Sequence, residues 1–375
     1  MSERTYELGL DSFMAVTADE NGQPIPGDQV IRNAVEEGVL AEQVGIDSFN
    51  IGEHYRDDMV DSASHVVLAA IAGRTEQIKL GSAVTVLSTQ DPVRLYNNFA
   101  TLDAVSGGRA QLIVGRGSAI ESFPLFGYDV REYEEIFEEK LALFVELLHG
   151  GPVTWQGKYR PPLDGVVLTP PLPQGNLPTW VGSGGSPESV VRAARYGLPL
   201  MLAVIGGHPE RFRPLVDLYR RALAQYGRPD LPVGLHTLGY VARTDKEAIE
   251  TQWPHWLETF GRASDERGWR PPTRAQFEAE VDHGALFVGS PETVATRLAS
   301  VMRTLDVARL GLHYAIGKVP HEQRAESIRL LGTQVFPRVR ELLAVAPTVH
   351  TAPTSAEAAP PTSPVRSTHA PVTST

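Results

Sequence analysis

The chain has 375 residues, 42% of them apolar, no cysteine and a formal net charge of −11. That length fits one large α/β barrel or two ordinary domains. The lack of cysteine rules out disulfides, thiolate zinc sites, iron–sulfur clusters and thiol nucleophiles, and the acidic balance without a Lys/Arg cluster argues against nucleic acid as a partner. Any redox chemistry therefore rests on a bound cofactor. The N-terminal MSERTYELGL lacks the apolar core of a signal peptide, and no run reaches the roughly 18–20 residues of a membrane span, so cytoplasmic residence is expected.

In chain order, a first strand is predicted over Tyr6–Phe13, followed by a helix from about Asp28 to Val44 with Ile31, Val35, Val39 and Leu40 at helical spacing. Strand two is Ser48–His54, helix two about Ser62–Arg74, strand three Ile78–Leu87, and helix three about Pro92–Val105, opened by a proline. Ala110–Gly115 is strand four, and an acidic helix runs from about Glu132 to Leu148. A Pro/Gly-rich excursion, about 150–178, separates it from strand five, Thr179–Gly182.

Helix five, Pro187–Tyr196, leads to strand six, Leu200–Ile205, helix six, Pro209–Tyr226, and strand seven, Val233–Ala242. A second insertion, about 245–285, carries Trp253, Trp256 and Trp269 among charges and reads as a lid or subdomain. Helix Pro291–Leu305, strand Arg309–Ile316 and helix His321–Val345 complete the array. From about Ala346 to the end the chain is Pro, Thr, Ser and Ala without aromatic residues, a composition that predicts a disordered tail.

Eight strands alternating with eight helices predict an α/β fold, a TIM (β/α)8 barrel with insertions after strands four and seven, over residues 1–345. No G-x-G-x-x-G follows strand one, which removes the open dinucleotide-binding alternative. In such a barrel the working residues stand at the C-terminal ends of the strands. Arg116, between Gly115 and Gly117 at the end of strand four, either grips a phosphate or carboxylate or pairs with an acid such as Glu121 and staples a loop. After strand five, Ser183, Gly184, Gly185 and Ser186 precede Pro187 at a helix start, either a phosphate cradle or an ordinary turn capped by Ser186.

Strands four and five are barrel neighbours, so one phosphomonoester can be held by both. The apolar Ala83, Val84, Val86 and Leu87 then suit a flat aromatic cofactor carrying that phosphate. His54, at the mouth after strand two, is either a proton carrier or a structural histidine beside Glu53. His236 and His313 lie inside strands and read as packed residues. A Schiff-base lysine has Lys318 as its nearest match, and no metal-ligand motif is present.

Four segments, NIGEHY at 50–55, LGSAVTVLSTQDPVRLYNN at 80–98, SGGRAQLIVGRGSAIESFPLFGYD at 106–129 and WVGSGGSPESVVRAARYGLPL at 180–200, resemble the bacterial luciferase-like flavin-dependent monooxygenases. The resemblance spans residues 5–345. It implies that Arg116 with Ser183, Gly184, Gly185 and Ser186 holds the phosphate of FMN, that a non-proline cis peptide lies near Ala83-Val84 under the flavin ring, and that His54 is the catalytic base. It further implies reduced FMN from a separate flavin reductase, reaction with O2 to a flavin hydroperoxide, transfer of one oxygen to a small organic substrate, aldehyde-like or other, and a homodimer. The second histidine of the family's E-H-H is Tyr55 here, and Gly115 stands where luciferase has a reactive cysteine, which counts against light emission. A deazaflavin-dependent oxidoreductase performing hydride transfer and a non-catalytic flavin-binding protein are the alternatives.

Overall fold

The computed structural model describes residues 5–344 except 20, 118–119, 173–176, 267, 269 and 315. The tail predicted from about Ala346 lies outside the described residues. In chain order the elements are β1 (Glu7–Ser12), α1 (Gly27–Gln43), β2 (Ser48–Ile51), α2 (Ser64–Ala72), β3 (Lys79–Ser82), β4 (Thr85–Val86), α3 (Pro92–Ser106), β5 (Ala110–Gly115), α4 (Ser122–Leu125) and α5 (Tyr133–Leu148). They continue with β6 (Val153–Trp155), β7 (Leu163–Val166), β8 (Thr179–Ser183), α6 (Pro187–Tyr196), β9 (Leu200–Ala203), α7 (Arg213–Gln225), β10 (Val233–Val241), α8 (Asp245–Glu266), α9 (Arg274–His283), β11 (Leu286–Gly289), α10 (Pro291–Leu305), β12 (Arg309–His313), α11 (His321–Leu330) and α12 (Phe336–Ala344).

Parallel pairing runs β1, β2, β3, β5, β8, β9, β10, β12 and back to β1, closing an eight-stranded barrel. The fold is a TIM barrel. Apolar residues alternate outward along the strands, such as Leu8 and Leu10 of β1 and Leu310 and Leu312 of β12, and pack against the helix layer as one core. Local signals set the element ends. Asp91 caps α3 by accepting from the Val93 and Arg94 amides at 2.9 and 3.1 Å, with Pro92 in the first turn, and Gly107 closes that helix in the left-handed region.

The barrel interior is polar. Arg309 is fully buried on β12, 3.2 Å from Glu7, with its guanidinium 4.9 Å from the Trp180 ring. Gln111 donates to Glu7 and Asn50, and Asn50 in turn donates to Asp11 at 2.8 Å. Buried charge is tolerable only when so partnered. Beside this ladder Ala83, Ile113, Trp180 and Met201 form a small apolar cluster, with Val84 packed against it.

Several boundaries depart from the predicted ones. Strand three is not continuous over Ile78–Leu87: the Ala83-Val84 peptide is cis and non-proline, and splits it into β3 and β4. Strand two ends at Ile51 rather than His54, because the His54 amide leaves the ladder to bond the Asp61 carboxylate at 2.9 Å. The 150–178 excursion holds the antiparallel β6–β7 hairpin. β11 was not anticipated; it extends the sheet beside the upper half of β10, pairing Leu238–Val241 with Leu286–Gly289. The last helix is interrupted by a widened turn at Leu331–Val335.

Between β10 and β11 the insertion folds as α8 and α9, with Trp253, Trp256, Phe260 and Phe277 packed together. Its far end reaches the loop after β2, where Arg262 lies 2.9 Å from Asp57 and 3.0 Å from Asp58. Gln252 donates to the Ile316 carbonyl, and Lys318 pairs with Glu258, so the same helix also holds the loop after β12. No helix among the described residues is long and apolar enough to cross a membrane.

Candidate functional site

Four consecutive barrel strands deliver the candidate residues. His54 follows β2, Ala83 and Val84 follow β3, Arg116 follows β5, and Ser183–Ser186 end β8 and enter α6. The site is thus a single arc of the barrel mouth.

At one end of the arc, His54 has 16% side-chain exposure and its Nδ1 lies 2.7 Å from Oδ2 of the buried Asp61. Burial pushes the Asp61 carboxyl above its usual range, and the bonds from His54 offset this only in part. A carboxylate there takes Nδ1–H and leaves Nε2 with its lone pair, the arrangement of a proton acceptor. Glu53 is not the partner of His54: it accepts from Tyr55 Oη at 2.6 Å, from Gln90 Nε2 at 2.5 Å and from the Val86 amide at 3.0 Å. Burial holds the Glu53 carboxyl above its usual range as well.

Phe13 packs between imidazoles, its ring centroid 4.8 Å from that of His54, 4.4 Å from His313 and 5.8 Å from His236. His236 was expected to be a packed residue. It is packed on Phe13 with 12% side-chain exposure, and its Nδ1 also lies 2.6 Å from Asp11 Oδ2. Burial pushes the Asp11 carboxyl up, but the bonds from His236 and Asn50 and the charge of Arg309 outweigh it, leaving that carboxyl below its usual range.

His313 is buried as expected, its Nδ1–H donating to the Asp11 carbonyl at 3.1 Å. Burial first, and then the neighbouring His236, depress its pKa to about 3. From about pH 6.5 downward the unfolded chain takes up a proton here that the folded chain refuses, so stability falls with pH through that window, by up to about 1.4 kcal/mol per pH unit. The variant H313N keeps an N–H for the Asp11 carbonyl and cannot titrate. Its urea midpoint is expected to drop less than that of the natural protein between about pH 7 and about pH 5.

In the middle of the arc, Val84 is the half-buried part of the apolar surface. Val86 and Leu87, predicted to form the same lip, are buried, and Leu87 belongs to the core outside the barrel. Gly115 and Gly182 make room for Val84: a Cβ on Gly115 would come within 2.7 Å of Val84 Cγ2, and one on Gly182 within 3.0 Å of Cγ1. Gly115 therefore admits a neighbouring side chain rather than a ligand. Gly117 has φ of 85°, a conformation that side-chain-bearing residues rarely adopt, and turns the chain out immediately after Arg116.

At the other end, Arg116 is 23% exposed, pairs with Glu134 in the first turn of α5, and lies 5.3 Å from the Tyr133 ring. Glu121, the acid expected as its structural partner, pairs with Arg56 at 3.3 Å instead. Glu134 also accepts from Arg192 Nη2 at 2.8 Å, so a single carboxylate ties the end of β5 to α6. The parallel pairing of β5 with β8, which sets Val114 opposite Val181, makes Arg116 and the Gly/Ser loop the ends of adjacent strands.

Within that loop Ser186 caps α6, accepting from the Ser189 amide at 3.2 Å and donating to Ser189 Oγ at 2.9 Å, and Ser183 Oγ lies 3.4 Å from the Gly185 amide. Its hydroxyl being so engaged, the Ser186 side chain is the cap that the alternative reading expected. Beside Gly184 there is open space, a Cβ there meeting nothing within 4 Å. A guanidinium next to the N-terminus of a ten-residue helix is donor chemistry suited to a phosphate. The residues present fit a flavin phosphate at this end.

The partners Asp61 and Glu134 are not singled out by the sequence, and Asp11 and His236 are not linked by it as a pair. Asp61 sits in a polar loop without periodicity, and Glu134 in an acidic first turn that reads as ordinary dipole chemistry. Asp11 had a signal, since it is the polar member of an alternating strand whose other face is Leu8 and Leu10.

The model of the family described as luciferase-like monooxygenase matches residues 12–308. The chain is 25% identical over 243 residues to the alkanal monooxygenase alpha chain of Photorhabdus luminescens, covering 63% of this chain and 67% of that protein. It is 26% identical over 323 residues to the F420-dependent glucose-6-phosphate dehydrogenase of Microbacterium testaceum, covering 82% of this chain and 93% of that one. Among solved structures, the oxygenating constituent of 3,6-diketocamphane monooxygenase from Pseudomonas putida, in complex with FMN, superposes with a TM-score of 0.71 at 20% identity, over 89% of this chain and 99% of that one. That last likeness is one of fold.

Proposed function

The chain belongs to the luciferase-like monooxygenase family, and on that premise we propose that it is a flavin-dependent monooxygenase that uses reduced FMN and O2 to oxygenate a small organic substrate. One observation carries this reading. Consecutive strands place a carboxylate-held imidazole, an apolar Val84 surface and an arginine beside a helix N-terminus in that order along the mouth, which matches the reactive, flat and phosphorylated parts of FMN.

Reduced FMN, when bound, supplies the activation of oxygen and the transfer of one oxygen atom. The chain's own residues do the rest. Arg116 and the loop around Gly184 and Gly185 hold the phosphate, and Ala83 and Val84 give the ring an apolar bed. His54, fixed by Asp61, accepts or returns a proton at Nε2. The α8–α9 insertion, tied to the loops after β2 and β12, limits the entry of water. A flavin reductase as supplier and a homodimer enter this reading from the sequence resemblance alone.

The second reading, hydride transfer with a deazaflavin coenzyme, is favoured by the long match to the F420-dependent relative. Titrating the protein with FMN and with the deazaflavin coenzyme, then following oxygen uptake with reduced FMN and a panel of aldehydes and ketones, tests both. Preference for FMN with substrate-dependent oxygen uptake supports the monooxygenase. Preference for the deazaflavin, with no oxygen uptake, overturns it.

A further inference from the structure

We infer that Glu134 is an internal stand-in for the cofactor phosphate, displaced when the phosphate binds, and that Arg192 is a second cation of that site. This rests on the phosphate reading of Arg116 and extends it to two residues with no assigned part.

The geometry is that of an anion site filled from within. Two guanidinium groups from different elements, Arg116 at the end of β5 and Arg192 on α6, converge on one carboxylate. That carboxylate is the one free to leave. Glu134 is 42% exposed and can swing to water without burying its charge.

Glu138, the neighbouring acid one turn along α5, is held by Arg192 Nε at 2.8 Å, by Arg195 and by Tyr196 Oη at 2.5 Å. It stays in place and keeps Arg192 partly neutralised. Arg192 is only 11% exposed, and its Nη1 is buried with no hydrogen-bond partner among the described residues. A phosphate brings three acceptor oxygens where Glu134 brings two, and so has an acceptor to spare for that donor.

The exchange makes phosphate binding a competition. Part of the attraction between Arg116 and the cofactor is given back in releasing Glu134, which favours a flavin that is taken up and let go over one held permanently. It also confines the effect of Glu134 to phosphorylated flavins.

The test compares oxidised FMN with riboflavin, which lacks the phosphate, by fluorescence titration of the ligand-free natural protein and of E134Q, E138Q and R192Q, with melting curves showing that each variant is folded. The natural protein is expected to prefer FMN. E134Q should bind FMN about two- to fivefold more tightly, the scale of a partly exposed ion pair, with riboflavin unmoved. R192Q should weaken FMN alone, and E138Q, which relieves part of the neutralisation of Arg192, should tighten FMN relative to riboflavin. If the natural protein prefers FMN while E134Q binds it no better, or worse, Glu134 is a positioning residue for Arg116 and the stand-in role is wrong. If the natural protein does not distinguish the two flavins, the phosphate reading itself fails first.

Discussion

Replacing Arg116 by alanine is expected to weaken FMN binding at least tenfold and to leave riboflavin binding unchanged. A charge-assisted contact to a phosphate in a partly enclosed site contributes about 1.5–3 kcal/mol, which corresponds to roughly ten- to a hundredfold in dissociation constant. Arg116 stands at the end of a strand buried along its whole length, and its backbone is fixed between Gly115, packed on Val84, and the left-handed Gly117. Its removal therefore takes away a donor without moving the bed on which the ring would lie. R116K should recover only part of the loss, since lysine offers a point charge where arginine offers a fork. The pair of titrations, with and without the phosphate, is the check, and equal losses for both flavins would mean that Arg116 shapes the pocket instead.

The second large effect is expected at His54. H54A should lower the rate of substrate oxygenation by about a hundred- to ten-thousandfold, the usual contribution of a positioned acid–base group, while FMN affinity changes little. D61N separates position from charge. Asparagine keeps the size of the buried partner but presents an amide that can donate to Nδ1, so the imidazole is free to take the other tautomer and lose its acceptor at Nε2. D61N should then lower the rate toward that of H54A with the flavin dissociation constant preserved. Measuring oxygen uptake and flavin affinity on the same preparations tells a catalytic loss from a folding one. Full turnover in H54A would remove histidine from the chemistry.

Much of the barrel was legible because its strands carry the information locally. Ala110–Gly115 and Pro187–Tyr196 are found at the predicted residues, the first an apolar run broken only by Gln111 and the second bounded by a serine cap and a glycine stop. What escaped depends on contacts distant in sequence. β11 is four residues long and strand-like only because the upper half of β10 lies unpaired beside it. Strand two stops early because Asp61 captures the His54 amide.

The site divides in the same way. His54, Arg116 and the Ser183–Ser186 loop were readable as strand-end residues, whereas their partners come from elsewhere: Asp61 from a loop, Glu134 from a helix and Asp11 from a strand face. Composition and spacing indicate where a charged group stands, but the neighbour that completes it is set by barrel closure. His236 shows this most directly, since a histidine inside a strand reads as packed, and only the closed barrel adds Asp11 2.6 Å from it.

The polar ladder inside the barrel has a consequence for engineering. In many barrel enzymes the loops are exchangeable parts mounted on an inert cylinder. Here the cylinder is not inert, since Asp11 and His236 belong to the strands and connect through Asn50 to Arg309 deep in the interior. Transplanting the mouth loops onto another barrel would leave those residues behind, and replacing the ladder with a conventional aliphatic filling would change the setting of the histidines while stabilising the scaffold. In this chain, a substitution made for robustness inside the barrel also changes the hydrogen bonding of His236 at the mouth.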